Sequence, residues 1–488
     1  MITEIQPFRY HTKAYAHQHC EFMRSRGMPY YAGFWEMGTG KSKLILDTIA
    51  SLWWGKEIDG VILVGDKGNY RNWYTEIQAH LHPDIQRRVA HFTSAASKAE
   101  TKAVETLFIP QGDVLDFLLV NVESFSGNSS TVACSKFANG HYLLMCVDEA
   151  TSIKNLRAQR TKNVIAIGKR ADFRRILTGT PITQGPLDLY TMCDFLQKGV
   201  LGFPSFTAFR AHFAVQERVY LGPNRPSFDK VVGYRNLDEL SRVLEAFSSR
   251  ITKDECLDLP DKIYEVHQVE LTPEQKSAYT LLQRTAVLQL EQGLLASTSV
   301  LTTINKLQQI CCGHVKLDND TVVDLPNNRL DDLQTLLENI ADDHKVIIWC
   351  AFQRDVELIY HRIVNWKLDR TAAVHYYGKT PAAMREVNLR AFMEEPQCKY
   401  FIGTAATGGK GITLTCASYV IYYSNSYSLE DRLQSEDRAH RIGQSKNVTY
   451  IDMVAADTVD EKVLASLKKK EDLAYQVLDR AREMFDPL

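Results

Sequence analysis

The amino-acid sequence predicts an α/β chain built on two parallel sheets, and three observations predict it. Short apolar runs recur, each closed by a polar or glycine-bearing loop and followed by a helix-like stretch. The runs are continuous rather than alternating, the mark of strands buried on both faces beneath covering helices. They also fall into two sets, divided by a segment of different character. In such sheets ligands bind beyond the carboxyl ends of the strands, so the loops after the runs are where chemistry belongs.

The first set is Tyr31 to Trp35, Val61 to Val64, Phe117 to Val120, Leu143 to Val147 and Arg175 to Leu177. The second is Lys345 to Cys350, Thr371 to Tyr376, Tyr400 to Gly403, Tyr419 to Tyr423 and Val448 to Met453. Between them, Gly199 to Ile340 reads as mainly helical, with helical spacing over Leu237 to Phe247 and Pro273 to Gln309 and few strand signals. No internal repeat or low-complexity tract interrupts the chain, and the run Lys468-Lys469-Lys470 reads as a solvated helix face.

With 488 residues, 45% hydrophobic and 24% charged, the composition is that of an ordinary globular protein. Such a chain buries about three quarters of its unfolded surface and needs no disulfide or metal to hold it. Lys and Arg number 57 against 59 Asp and Glu, a net charge of −2, which excludes a globally basic nucleic-acid binder but not a local basic track. Ten cysteines include no C-x-x-C pair, and adjacent Cys311 and Cys312 cannot chelate like a zinc knuckle. Reduced, buried thiols are expected. The start MITEIQPFRY has no charged region leading into an apolar one, and no run approaches the roughly 18 apolar residues of a membrane span. A cytoplasmic protein is the expectation.

Three segments carry chemistry. Gly38-Thr39-Gly40-Lys41-Ser42 follows an apolar run and opens a helical stretch, Leu44 to Leu52. Glycines there let backbone N–H groups approach phosphate at a helix N-terminus. Lys41 then reaches the β- and γ-phosphates and Ser42 ligates Mg²⁺. Trp35 stands where the long phosphate-loop pattern has its first glycine, so a plain glycine turn is the competing reading. Second, Asp148-Glu149 closes a buried run, as a metal-holding Asp and a water-activating Glu do; the bland reading is an acidic helix start. Third, Gln434, Arg438 and Arg441 share one face if the segment is helical, where arginines clamp a transferring phosphoryl group. An exposed helix paired with Glu430, Asp431, Glu436 and Asp437 is the alternative.

Together these segments resemble a Swi/Snf-type DNA-dependent ATPase of helicase superfamily two, from about Gln18 to Val463. Gln18 resembles the nucleotide-edge glutamine and Met37 to Ser42 the phosphate loop. Asn72-Trp73 and Glu76 match n-W-x-x-E. Asn121-Val122-Glu123-Ser124 stands where a DNA-contacting segment lies. Asp148-Glu149-Ala150-Thr151 with Lys154-Asn155 resembles D-E-A-H…K-N, and Leu177 to Pro181 the coupling motif L-T-G-T-P, with Thr178 and Thr180. Arg250 to Pro260, Leu271 to Tyr279 and Leu307 to His314 resemble stretches around the helical protrusion of lobe two. Thr404 to Leu414 resembles S-T-x-A-G-G-x-G-I-N-L, and Asp437 to Gln444 reads D-R-A-H-R-I-G-Q. Departures are Thr151 for the usual histidine, Thr413 for the asparagine, and a missing W-N-P at Ser426 to Leu429.

The resemblance implies two RecA-like parallel-sheet lobes with helical insertions. Lobe one spans 1–195, its helical insertion 196–250, linker and protrusion 251–330, and lobe two 331–488. It implies ATP and Mg²⁺ as cofactors, with Gln18, Gly38, Thr39, Gly40, Lys41, Ser42, Gly411 and Gln434 on the nucleotide. Ser42 and Asp148 hold the metal; Lys41, Glu149, Arg438 and Arg441 carry hydrolysis. Asn121, Ser124, Gly378, Lys379, Thr380 and Thr404 are the implied contacts to sequence-independent, double-stranded DNA. A second candidate track is Lys154 to Arg175, with eight basic residues against Asp172 alone; an outward solvated helix explains it equally well. The implied activity is ATP-driven translocation on DNA, with a strand-separating helicase and a non-catalytic DNA-binding scaffold as alternatives. The bare motor most resembles bacterial or bacteriophage members.

Overall fold

The structure, a computed structural model, describes residues 8–66, 69–93, 96–220, 227–291, 297–341, 343–409 and 412–478. Gly411 and the first seven residues therefore lie outside the described residues. The chain divides into two compact units: residues 1–217, 231–257 and 472–488, and residues 218–230 and 258–471.

The first unit is built on β1 (Tyr30–Trp35), β2 (Gly60–Gly65), β3 (Arg87–Phe92), β4 (Leu115–Asn121), β5 (Leu143–Asp148) and β6 (Phe173–Leu177). β7 (Ala214–Val219) and β8 (Phe228–Tyr234) stand outside its sheet, and β9 (Ser248–Ile251) completes it. The order is β3-β4-β2-β5-β6-β1-β9, parallel throughout. Alternate residues of its central strands enter different cores. Ile62, Val64, Leu118, Met145 and Val147 pack on one face, and Val61, Leu63, Phe117, Leu144 and Cys146 on the other. Both faces being covered is why the runs are apolar without alternation.

The second unit repeats the design with β10 (Lys262–Val269), β13 (Lys345–Cys350), β14 (Ala373–Tyr376), β15 (Tyr400–Thr404), β16 (Ala417–Tyr422) and β17 (Val448–Ala455). β11 (His314–Lys316) and β12 (Val322–Asp324) form a separate antiparallel pair. The order is β10-β17-β16-β13-β15-β14, again all parallel. Val346, Ile348, Ile402 and Ile421 face one core, while Ile347, Trp349, Phe401 and Val420 face the other.

The α/β fold with two parallel sheets is as expected, with one correction. The segment from Gly199 to Ile340 is not merely helical: it supplies β9 to one sheet and the eight-residue β10 to the other. Both are edge strands without a continuous apolar run: β10 is largely open to solvent, and β9 is four residues long and carries Ser248, Ser249 and Arg250. Cysteines form no disulfide; seven are buried, but Cys20 is exposed and Cys256 and Cys416 are partly so. Among the described residues, no helix is long and apolar enough to cross a membrane.

Candidate active site

In the first unit, β1 delivers the chain into the glycine loop. Gly38 and Gly40 adopt φ of 82° and 88°, the left-handed region that glycine enters without penalty. A side chain at Gly40 is excluded twice over, since its Cβ would lie 2.0 Å from Gln18 Nε2. Gly40 caps the helix Lys41–Trp54, whose first turn carries no acidic residue and no side-chain cap. Its leading N–H groups, with the dipole behind them, suit an anion. Lys41 Nζ donates to the carbonyls of Trp35 (2.8 Å) and Glu36 (3.2 Å), so the ammonium is held over the loop by neutral acceptors. Thr39 Oγ1 donates to Glu36 O at 2.7 Å, and buried Gln18 donates to Gly40 O at 3.3 Å. Gln18 Oε1 in turn accepts from Tyr15 N, fixing the glutamine against the loop.

Sheet order brings the other groups alongside. β6 lies between β1 and β5, with Leu177 in register with Gly33 on one side and Asp148 on the other. At the usual strand spacing those two chains run roughly 10 Å apart at their carboxyl ends. Asp148 closes β5 and accepts from Glu149 N at 3.1 Å; Glu149 itself sits at φ 49°, turning the chain sharply after the strand. Between loop and acids lies Thr178-Gly179-Thr180. Thr178 N donates to Gly33 O (3.1 Å), Thr180 N to Thr178 Oγ1 (3.1 Å), and a Cβ on Gly179 would press on Met37 N at 3.2 Å and Trp35 O at 3.3 Å. Lys154 Nζ bonds Thr183 Oγ1, which donates to Asp188, tying the segment after the acids to the same loop. A shift at either neighbour is thus felt by the threonines.

The sequence reading left two participants without roles. Arg250, at β9, donates to Phe34 O (3.0 Å), Gly179 O (3.3 Å) and Glu36 Oε1 (3.2 Å), while Glu36 Oε2 accepts from Lys253 N. This brace fastens the phosphate loop to the threonine loop from a strand some 200 residues onward, as the sequence numbers show. Its only local signal was the stretch beginning at Arg250.

In the second unit, Gln434, Arg438 and Arg441 do not share one helix. The helix Leu429–Glu436 ends before Arg438, and tight turns continue from it, with Arg438 N on Ser435 O and His440 N on Glu436 O. Gln434 is buried and donates to Glu430 at 3.3 Å; its Oε1 has no partner among the described residues. Arg438 is also buried, donating to Ile412 O and Gln434 O at 2.9 Å each. Arg441 donates to Thr413 Oγ1 at 3.1 Å, so one departure from the family pattern lands on the outer arginine. The exposed paired helix is not what forms, because Glu436 is buried against Arg432, Lys262 and Tyr264.

The implied DNA contacts stand at strand ends. Asn121 closes β4, and Ser124 donates to Asn121 O at 2.6 Å within the turn that follows. Gly378-Lys379-Thr380 follows β14; Lys379 reaches Glu357 at 2.8 Å, and Thr380 is buried, its hydroxyl against His375 and Tyr377 N. Thr404 closes β15 and is buried; the next residue, Ala405, lines a cavity with Cys350, Ala351, Ser424 and Arg432. In the basic stretch, Arg157, Lys162, Lys169 and Arg170 are exposed, and Lys154, Arg160 and Arg174 are half-buried. Arg175 leaves the track, since it is buried and bonds Ser25 O and Met28 O. Desolvation holds its pKa down, to about 10.

A left-handed glycine loop, a strand-end acid pair and a threonine loop between them define a phosphate-loop protein of two parallel-sheet units. Its family is shown by comparison. Residues 20–316 match the SNF2-related domain and residues 328–443 the helicase conserved C-terminal domain. The chain belongs to the SNF2-related family. It is 26% identical over 449 residues to an uncharacterized ATP-dependent helicase of Mycoplasma genitalium, covering 91% of this chain and 40% of that one. It is 24% identical to TATA-binding protein-associated factor 172 of Homo sapiens, covering 70% of this chain and 21% of that one. It therefore spans from about a fifth to two fifths of these relatives' lengths. Among solved structures it is similar to the SWI2/SNF2 ATPase core of Sulfolobus solfataricus in complex with dsDNA. There the TM-score is 0.42 and the identity 21%, over 97% of this chain and 99% of that one.

Proposed function

We propose that this protein hydrolyses ATP and couples hydrolysis to movement along double-stranded DNA. The observation that carries the reading is the first unit's strand order, which sets Lys41 and the Asp148-Glu149 pair on either side of the threonine loop. The residues fit the nucleotide and its metal. An uncapped helix N-terminus with a lysine ammonium above it suits phosphates, and the Ser42 hydroxyl with the Asp148 carboxylate are hard oxygen donors that suit Mg²⁺. When bound, the metal neutralises charge on the β- and γ-phosphates. Glu149 takes the proton of the attacking water, and Lys41 steadies the phosphates. Arg438 and Arg441, on the second unit, supply the cations that stabilise the transferring group. Thr178 and Thr180 lie where a change at the phosphates reaches the acid pair. For the track, hydroxyl, amide and backbone groups at Asn121, Ser124, Gly378, Lys379, Thr380 and Thr404 touch phosphate without reading bases.

The test is steady-state phosphate release with no nucleic acid, single-stranded, double-stranded and forked DNA, and RNA, beside displacement of a third strand from a triplex. Stimulation by double-stranded DNA with triplex displacement is expected. Stimulation by single strands or RNA alone makes it a helicase of another kind, and no hydrolysis under any condition makes it a scaffold.

A further inference from the structure

The helix Leu429–Glu436 and the turns after it carry Gln434, Arg438 and Arg441. Eight residues do not hold a helix by themselves, so its orientation comes from what packs against it. Its last turn meets a buried ionic cluster. Glu436 Oε1 accepts from Arg432 Nε at 2.7 Å, and Oε2 accepts from Tyr264 Oη at 2.8 Å and Lys262 Nζ at 3.4 Å. Arg432 grips Asp452 with both terminal nitrogens and donates to Asn425 Oδ1 at 3.0 Å, and its guanidinium lies 3.7 Å above the Tyr422 ring. The Glu436 carbonyl accepts from Tyr450 Oη (3.0 Å) as well as from Ala439 N and His440 N. Lys262 and Tyr264 come from β10, Tyr450 and Asp452 from β17, and Tyr422 from β16, three neighbours in the sheet.

Two cations and two carboxylates balance there; Arg432, Glu436 and Asp452 are buried, and Lys262 reaches in from the exposed edge strand. Burial raises Glu436's pKa, but Arg432 and Lys262 outweigh it, and the carboxyl stays below its ordinary range. A buried ionic cluster is a poor source of stability, since apolar side chains of similar volume often do as well or better. What it adds is a fixed geometry, because each carboxylate oxygen and guanidinium nitrogen accepts few partner directions.

We propose that Glu436, with Arg432, Asp452 and Tyr264, is a positioning device for the arginine segment: it sets the direction in which Arg441 leaves the turns that follow the helix. The inference rests on the ATPase reading above. Glu436 touches no substrate; it acts through the turns that begin at its own carbonyl.

The test is a double-mutant cycle on DNA-stimulated single-turnover hydrolysis, using the full chain. Glu436→Gln keeps size and removes charge. Its expected effect is a fall of about 10- to 100-fold in rate, with the KM for ATP moved less than about twofold, as for misplacement of a reacting partner. On an Arg441→Ala background the same substitution should change the rate less than about twofold, because the residue it positions is gone. A merely structural role makes the two losses multiply, and that result, or an unchanged rate in Glu436→Gln, overturns the proposal. Tyr264→Phe removes one hydroxyl from a half-exposed edge residue and keeps the cycle readable if Glu436→Gln melts early; it should give a smaller, equally non-additive loss. Should Arg441→Ala turn over normally, the role of Arg441 in hydrolysis fails and this inference with it; should the parent hydrolyse no ATP under any condition, the ATPase reading itself fails. Should Arg441→Ala fail while the losses multiply, only this inference falls.

Discussion

The two units hold their charged residues by different means. In the first, backbone holds side chain: Lys41 rests on the Trp35 and Glu36 carbonyls, Gln18 on Gly40 O, and Arg250 on Phe34 O and Gly179 O. In the second, side chain holds side chain below the arginine segment, where Glu436, Arg432 and Asp452 bond one another, although Arg438 itself rests on the Ile412 and Gln434 carbonyls. A backbone-held site is tuned by φ and ψ and is broken by giving a glycine a Cβ. A side-chain-held site is tuned by charge and is broken by neutralising one partner.

The largest effects come from removing the groups so held. Lys41→Ala should abolish turnover and weaken ATP binding in a nucleotide titration, while Glu149→Gln should bind ATP and DNA normally and nearly stop hydrolysis. If ATP affinity collapses in Glu149→Gln, that carboxylate is a metal ligand or a structural group. Arg441→Ala should lower DNA-stimulated phosphate release by ~10³ or more with ATP affinity little changed, and Arg441→Lys should rescue little, because an ammonium lacks the planar fork. A surface arginine predicts instead near-normal turnover and at most about 1 kcal/mol of stability lost.

An intermediate effect separates backbone from charge. Gly40→Ala forces a left-handed residue with a Cβ, worth about 1–2 kcal/mol, and drives that Cβ into Gln18 Nε2. The expected result is about a tenfold loss of ATP affinity with turnover at saturating ATP less affected. Gly27→Ala, where a Cβ meets nothing within 4 Å, is the control and should stay within about 0.5 kcal/mol of the parent. Equal behaviour of the two would mean that the loop geometry is not what holds Lys41.

The fold was legible where strands are buried on both faces and mostly illegible at the edges, where only β14 was read, as the run Thr371 to Tyr376. β2, β4, β5 and β13 announce themselves as unbroken apolar runs. The edge strands β3, β9 and β10 do not: β3 opens Arg87-Arg88, β9 has four residues, and β10 mixes Lys262, Glu265 and His267 with exposed Ile263 and Val266. The candidate site was legible as contiguous motifs, because phosphate loops and strand-end acids are local devices. Glu36 with Arg250, Thr413 with Arg441, and Glu436 with Lys262 and Tyr264 are partnerships across long stretches of chain. Only the assembled sheets bring them together, and no local pattern encodes them. For the same reason Gln434, Arg438 and Arg441 read as one helix face: nothing local marks the helix end at Glu436.

The smallest predicted effect probes an exception within the first unit. Lys43 and Asp47, just behind the phosphate loop, form a side-chain-held pair at 2.8 Å, only 5% and 3% exposed. Burial pushes the Asp47 carboxyl up to about 6, against the opposing pull of Lys43. The folded state then keeps a proton over a range in which the unfolded chain has lost it. This group's contribution is therefore fullest at low pH and is lost as pH rises towards and through about 6. Depressed carboxyls such as Asp116 and Glu436 work the other way, so the informative quantity is the difference between parent and variant. Replacing the pair by Lys43→Met with Asp47→Leu should remove a loss of about 1 kcal/mol between pH 5 and 7.5, read from urea unfolding at both values. At pH 7.5 the variant should be as stable as the parent or more so, since an apolar pair avoids the desolvation of two charges. Turnover should change less than about threefold, because Lys41 and Ser42, not Lys43, face the phosphates in this reading. A rate as low as that of Lys41→Ala would place Lys43 in the site, and an unchanged pH difference would mean that Asp47 is ionised throughout.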